Sequence, residues 1–266
     1  MQNFDHLLTT RPHDIHTVFV SDLHLSDGTP LLIQAFLALL KDLSALPKLE
    51  RFFILGDWLD GWIGDDDYLS LTDDEKKTHF LTPILTALQK LSTKTTIYIM
   101  HGNRDFAIRQ GLCDTFHGKL IKEPYFLKLD KNYRLEHGDR LCTDDKAYQR
   151  YRNIIRNPVI SWLLLKQPLT KRRQLAQKIK AKSHHDKTQK STDIMDVNAH
   201  AVMDVLKDCD VLVHGHTHRP CAHDEQGKQR LVLGDWRCDD RTAHAVIGAM
   251  VANEGVDLWK FCYRLW

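Results

Sequence analysis

The chain has 266 residues, 42% of them hydrophobic and 27% charged, with a formal net charge of +2. That suffices for one large α/β domain with insertions or two small ones, and the charge balance points to no partner by itself. No run of about 18 apolar residues occurs, and positions 1–16 hold no apolar core, so neither a membrane span nor a secretory signal is expected.

Residues 17–21 read as a buried strand, with Asp22 and His24 following two residues apart. If extended geometry persists through Leu23, a carboxylate and an imidazole point the same way, which is half a metal site. From Pro30 to Leu46, leucines, Ala35 and Phe36 repeat at helical spacing; Pro30 suits a first turn, and Pro47 closes the segment. Residues 51–55 form the next strand, ending in Gly56-Asp57-Trp58-Leu59-Asp60, so strand, helix and strand make a parallel crossover. Residues 61–78 read as acidic and irregular, with Asp65-Asp66-Asp67 as a solvated loop that lacks EF-hand spacing.

A helix is expected over about 79–91 and a strand over 95–100, ending in His101-Gly102-Asn103-Arg104-Asp105. Residues 125–136 suggest a hairpin or two strands, ending in His137-Gly138-Asp139. Between positions 146 and 190 stand thirteen Lys or Arg and one acid, Asp186, interleaved with Tyr148, Tyr151 and Trp162. An amphipathic helix is expected from Ile194 to Leu206, then a strand over 211–213 that ends in His214-Gly215-His216-Thr217-His218. The tail from Leu231 reads as short strands with turns. The six cysteines form no CxxC pair, so free thiols in a reducing compartment are expected.

Five apolar β-segments thus end in metal-type ligands, most in glycine-containing turns. In α/β sheets, ligands bind beyond the carboxyl ends of the strands. The donors are oxygen and nitrogen without cysteine, which suits Mn²⁺, Fe²⁺, Zn²⁺ or Co²⁺. Asp22, His24, Asp57, Asn103, His137, His216 and His218 exceed one ion's demand. They fit two ions sharing a carboxylate, about 3.5–4 Å apart.

D-x-H, G-D-x-x-D, G-N-[HR]-[DE], a histidine and G-H-x-H, in that order, resemble the calcineurin-like metallophosphoesterases. That resemblance implies a sandwich of two mixed sheets flanked by helices. It assigns Asp22, His24, Asp57 and His218 to one ion. Asp57, Asn103, His137 and His216 go to the other, with Asp57 bridging.

Ser21-Asp22-Leu23-His24-Leu25, His-Gly-Asn-Arg-Asp-Phe from His101 and the nine residues from His137 to Asp145 narrow the likeness, together with Ile194-Met195-Asp196-Val197-Asn198 and the run from His214 to Pro220. They resemble the UDP-2,3-diacylglucosamine pyrophosphohydrolases of lipid A biosynthesis, over roughly residues 17–236. The likeness implies Mn²⁺, release of UMP and 2,3-diacylglucosamine 1-phosphate, and water attack on the uridine-side phosphorus. It also implies a peripheral place on the cytoplasmic face of the inner membrane. A monomer is expected, with no nucleic acid as partner.

Arg104 stands where many relatives carry a histidine able to protonate a leaving alkoxide. Arginine stays charged and serves instead to hold phosphate oxygens. A leaving phosphate, whose second pKa is about 6, needs no proton. Arg104, Asn103 and Asp57 are therefore the expected catalytic residues.

Residues 144–195 are expected to form a helical lid between core segments 1–143 and 196–266. Substrate contacts are implied for Asn103, Arg104, Asp145, Tyr148, Ser183, Lys187, Lys190 and His216, with Trp62 beneath the substrate. Lys187 departs from the family, which has asparagine there. Asp60 is expected to orient a ligand histidine, and Gly234-Asp235-Trp236 to pack or to support a ligand. Asp139 is expected to steady His137 or cap a turn, and His101 and His214 to be structural. The alternatives are another dinuclear phosphodiesterase acting on a nucleotide or phosphoanhydride, and a non-catalytic scaffold on the same fold.

Overall fold

The structure is a computed structural model that describes residues 1–189 and 196–265, with the backbone alone for 180–189. In chain order the elements are β1 (Gln2–Asn3), α1 (Phe4–Thr10), β2 (Ile15–Val20), α2 (Pro30–Ala45), β3 (Arg51–Leu55), α3 (Asp66–Leu69), α4 (Asp73–Thr78), α5 (Leu81–Ser92) and β4 (Thr96–Met100). Then come α6 (Gln110–Asp114), β5 (Lys119–Ile121), β6 (Tyr125–Lys128), β7 (Asn132–Leu135), α7 (Lys146–Ile155), α8 (Pro158–Leu165), α9 (Leu169–Gln189) and α10 (Ala199–Leu206). The chain ends with β8 (Val211–His214), β9 (Ala222–Glu225), β10 (Lys228–Val232), β11 (Gly234–Cys238), β12 (Thr242–Val251) and β13 (Gly255–Arg264).

Among the described residues there are two mixed sheets. The larger runs β1-β13-β12-β2-β3-β4-β5, with β11 also on β12; the smaller runs β6-β7-β8-β10-β9. Strand alternation decides how they stack. Val18, Val20, Phe52, Ile54, Ile97 and Ile99 face the helical layer, where α2 buries Ala35, Phe36, Leu39 and Leu43. Their neighbours Phe19, Phe53, Leu55 and Met100 point the other way, onto Tyr133, Leu135, Val211 and Val213 of the smaller sheet. Each of these central strands is apolar on both faces because both faces are covered.

β2, β3 and β4 are parallel neighbours, as are β7 and β8. The carboxyl ends of each set therefore lie together, and the five ligand-bearing loops leave from those ends.

Several local expectations need correction. Residues 61–78 are not irregular: α3 and α4 form there, and α4 carries a capping box in which Thr72 and Glu75 satisfy each other's backbone N–H groups. The helix expected from Ile194 starts at Ala199 instead, capped by the Asn198 side chain. Ile194 itself lies outside the described residues. The tail is not made of short strands, since β12 and β13 pair over ten residues each. The elements β1, α1, α6 and β5 went unread because each is short and holds its place through tertiary pairing. Among the described residues no helix is long and apolar enough to cross a membrane.

Candidate metal centre

The five loops bring all seven expected ligands to one place, but not by strand alternation. β2 stops at Val20, and Asp22 and His24 have φ of 57° and 49°. Asp57, His216 and His218 are also left-handed, at 51°, 71° and 55°. Such backbone costs a non-glycine residue about 1–3 kcal/mol and persists where the surroundings enforce it. Here they do. The Asp22 N–H donates to Gly56 O (3.1 Å), the His24 N–H to Asp57 O (2.9 Å), and the His216 N–H to Asp22 Oδ2 (2.9 Å). Two glycines permit the close approach. A Cβ on Gly102 would collide with the Asp57 carboxylate, and one on Gly215 with Ser21 and Asp22.

The side chains form two groups. Asp22, His24 and His218 each offer an atom within 4.8 Å of the others, and so do Asp22, Asp57 and His137. Asp57 faces both sets of histidines: Oδ2 lies 3.8 Å from His24 Nε2, and Oδ1 lies 3.7 Å from His137 Nε2. Asn103 Oδ1 sits 3.1 Å from His137 Nε2 and 3.0 Å from His216 Nδ1. Outer contacts fix the rings. His137 Nδ1 meets Leu55 O at 3.0 Å, leaving Nε2 toward the centre, and Asp235 Oδ1 lies 3.5 Å from His218 Nδ1.

These residues fit divalent cations. Asp22 Oδ1 is buried without a hydrogen bond. His24 and His218 aim their Nε2 atoms at each other, 3.3 Å apart. Two neutral imidazoles cannot satisfy each other unless one donates, whereas both lone pairs can serve one ion. The field agrees. Burial pulls the His137 imidazolium down, yet Asp57 and Asp22 outweigh it and lift its pKa to about 9. Burial likewise works against the Asp57 carboxylate, but His137 and His24 hold it below its ordinary range. The pocket favours positive charge.

Arg104 borders this centre. Its backbone N–H donates to Asp57 Oδ1 (2.7 Å), its carbonyl accepts from the Trp62 N–H (3.0 Å), and its guanidinium faces Asp60 at 3.7 Å. Asp60 thus has the guanidinium of Arg104 as a partner. Trp62 is buried, with its indole N–H 3.3 Å from Asp65. Asp105, given no role from sequence beyond its motif, braces the loops: it accepts from Gly102 N (2.6 Å) and Trp58 N (2.7 Å). Burial, then the neighbouring Asp57, pushes its carboxyl up to about 7.

His101 and His214 turn their rings to backbone carbonyls, and burial lowers them to about 4 and about 3. Trp236 packs in the core while Asp235 reaches His218, so Gly234-Asp235-Trp236 does both things expected of it.

The chain belongs to the calcineurin-like phosphoesterase family. The family's model matches residues 15–220, a range that takes in all seven expected ligands. The chain is 41% identical over 252 residues to a UDP-2,3-diacylglucosamine hydrolase of Pseudomonas putida, covering 92% of this chain and 98% of that one. It is 39% identical over 226 residues to a UDP-2,3-diacylglucosamine hydrolase of Haemophilus influenzae, covering 84% and 91%. A solved archaeal phosphodiesterase superposes with a TM-score of 0.46 at 12% identity, covering 93% and 99%.

In this calcineurin-like phosphoesterase, α7 meets the centre through Tyr148. Asp145 caps α7 by accepting from Tyr148 N (3.0 Å). The Tyr148 ring stacks on His216 at 6.1 Å, and its hydroxyl donates to Asp139 (2.6 Å). Asp139 therefore anchors α7: it also accepts from Arg152 Nε (2.9 Å) and Arg156 (3.3 Å). Burial opposes its charge, yet Arg156, His137 and Arg152 hold it far below the ordinary range.

The thirteen-to-one basic excess does not all lie at the surface. Arg152 and Arg172 are buried, bonded to Glu123 and Asp66 respectively. The acidic run is correspondingly no solvated loop. Asp65 accepts from Arg109 N and Leu112 N, Asp66 binds Arg172, and Asp67 binds Arg173 at 2.6 Å. None of these pairs has a local sequence signal, since the partners are far apart in the chain. The side chains of Ser183 and Lys187 and all of Lys190 lie outside the described residues.

Proposed function

We propose that this chain hydrolyses the pyrophosphate bond of UDP-2,3-diacylglucosamine, releasing UMP and 2,3-diacylglucosamine 1-phosphate. The observation that carries the reading is Arg104 beside a two-group centre of nitrogen and oxygen donors. The substrate named for the relatives supports it.

Asp22, His24, Asp57 and His218 would hold one divalent ion, and Asp57, Asn103, His137 and His216 the other, with Mn²⁺ the proposed metal. When bound, such ions supply Lewis acidity and bring the pKa of water near 7. The chain's residues do the rest. The left-handed loops fix the donors before substrate arrives, so little reorganisation remains at the moment of reaction. Tyr148, locked on Asp139, walls one side of His216.

Arg104 stays charged, and Asp60 and its two backbone bonds restrain it. It is suited to hold the departing phosphate bidentately. No proton donor is required, because a phosphate monoester leaves as an anion near neutral pH. The other reading from sequence is a dinuclear phosphodiesterase acting on a nucleotide or phosphoanhydride; where such a substrate expels an alkoxide, a donor would be needed where Arg104 stands.

The lid carries the proposal to the membrane. Val159, Trp162 and Leu163 are 63%, 53% and 50% exposed, and Lys166 lies 3.8 Å over the Trp162 ring. An apolar patch with cations beside it suits an anionic bilayer and the acyl chains drawn from it. In this reading the chain works as a monomer on the cytoplasmic face of the inner membrane.

The test is hydrolysis of UDP-2,3-diacylglucosamine in ¹⁸O water, with and without Mn²⁺, read by mass spectrometry. Label in UMP is the expected result. Label in the lipid phosphate would overturn attack at the uridine-side phosphorus, and no turnover would overturn the function.

A further inference from the structure

A cavity of about 480 Å³ lies beside the metal centre, bounded by the loops after β2 and β3 and by the segment from α3 to the start of α5. Resting on the function proposed above, we propose that this cavity is the nucleoside subsite, taking uracil and ribose as an uncharged, polar, partly aromatic ligand.

Position is the first argument. Attack at the uridine-side phosphorus places the nucleoside one ester linkage from the reacting atom. The cavity wall includes Leu25, which follows His24 directly, and Asp60, which faces Arg104 at 3.7 Å.

Chemistry is the second. The substrate has three unlike parts: apolar acyl chains, an anionic diphosphate and a neutral nucleoside. Four carboxylates line the cavity, from Asp27, Asp60, Asp67 and Glu75. Arg104 and Arg173 face Asp60 and Asp67, so the lining is polar more than anionic, and it leaves an acyl chain with walls it cannot satisfy. Ribose hydroxyls, in contrast, donate to carboxylates. Trp62, His79 and Phe80 offer rings for the base to lie against. The volume falls within the range of about 300–1,000 Å³ usual for small-molecule sites.

Two variants leave the metal and phosphate machinery untouched. Thr78, exposed at the end of α4, lines the cavity, so Thr78→Trp fills it. Asp27→Leu removes an exposed carboxylate from its rim. The Mn²⁺-loaded proteins are assayed on UDP-2,3-diacylglucosamine and on the same lipid diphosphate capped with methyl in place of uridine, and UMP binding is measured by calorimetry.

Thr78→Trp should raise KM for the uridine substrate and weaken UMP binding, each about tenfold, with kcat held. Asp27→Leu should act in the same direction by about threefold. The methyl-capped lipid should be cleaved equally well by all three proteins. Unchanged UMP binding in both variants, or a parallel loss on the methyl-capped lipid, overturns the subsite. Failure of the parent protein to cleave the uridine substrate overturns the function itself, a separate result.

Discussion

The rim of the candidate metal centre and helices α7–α9, the proposed lid, are built on opposite plans. The rim is made of short loops held by backbone bonds, with five of its seven donors in left-handed conformation. The lid is made of regular helices, and its described ties to the core include Arg–carboxylate pairs between distant positions, such as Arg152 with Glu123 and Arg172 with Asp66, beside the Tyr148 bond to Asp139. The rim concentrates strain and charge in a few residues that cannot move independently. The lid distributes its attachment, with Asp139 and Glu123 shared by Arg152 and Arg156 at α7 and Asp66 held by Arg172 at α9. A rigid centre under a releasable cover suits chemistry on a bulky lipid, which must enter and leave between turnovers.

The largest effect should come from the rim. Asp57→Asn keeps the shape and the bond from Arg104 N but removes the charge that faces both histidine groups. Turnover should fall by about a thousandfold or more, roughly 4 kcal/mol in the barrier. Bound Mn²⁺, counted by elemental analysis, should fall in parallel. Full metal content with full activity would show that the two groups do not share this carboxylate.

Next comes Arg104→His. A lost charge-stabilising donor costs about 10²–10³ in kcat. The loss should be confined to the pyrophosphate substrate, while an aryl phosphodiester should be cleaved as well or better. Equal turnover of UDP-2,3-diacylglucosamine by parent and variant would remove the oxyanion role.

The same contrast explains what could be read from the chain. The rim was legible because each donor follows its own strand directly. Asp57 after 51–55 and His216 after 211–213 are signals within a few residues. The conformation was not legible: nothing local says that Asp22 and His24 turn left-handed, since that comes from Gly56, Asp57 and His216 across the sheet. The lid was legible only as composition. Its charge count is right, but which arginines are buried depends on Glu123, Asp139 and Asp66, chosen by the packing of α7 and α9. Asp65 was misread for the same reason, because the backbone N–H groups that it accepts from begin 44 residues later at Arg109.

A smaller effect belongs to the support behind the rim. Asp235 Oδ1 lies 3.5 Å from His218 Nδ1 and takes a 2.6 Å bond from Arg237. Carboxylates behind metal-bound histidines typically account for about 10–100-fold in metal affinity or activity. Asp235→Asn should weaken Mn²⁺ binding toward the lower end of that range, measured by competition with a chelator. The thermal midpoint of the metal-free protein should hardly change. Loss of midpoint without loss of affinity would make Asp235 a packing residue only.

The smallest effect, and the one that separates lid from rim, is acid release of the α9 end. Arg172 holds the Asp66 carboxyl below its ordinary range, chiefly through their hydrogen bonds. A carboxylate with a depressed folded pKa stabilises above its unfolded value, near 3.9, and loses that contribution as pH falls through the folded value. Asp66 is half exposed, so the gain is small and screened by salt. Hydrogen exchange in 169–179 should therefore accelerate as pH is lowered below about 4, after correction for intrinsic rates. Arg172→Met should already exchange faster at neutral pH and lose that acid step. The amides of β2 and β3 should stay protected over the same range in both proteins. If they open together with α9, lid and rim are one cooperative unit, and the difference in their construction has no dynamic consequence.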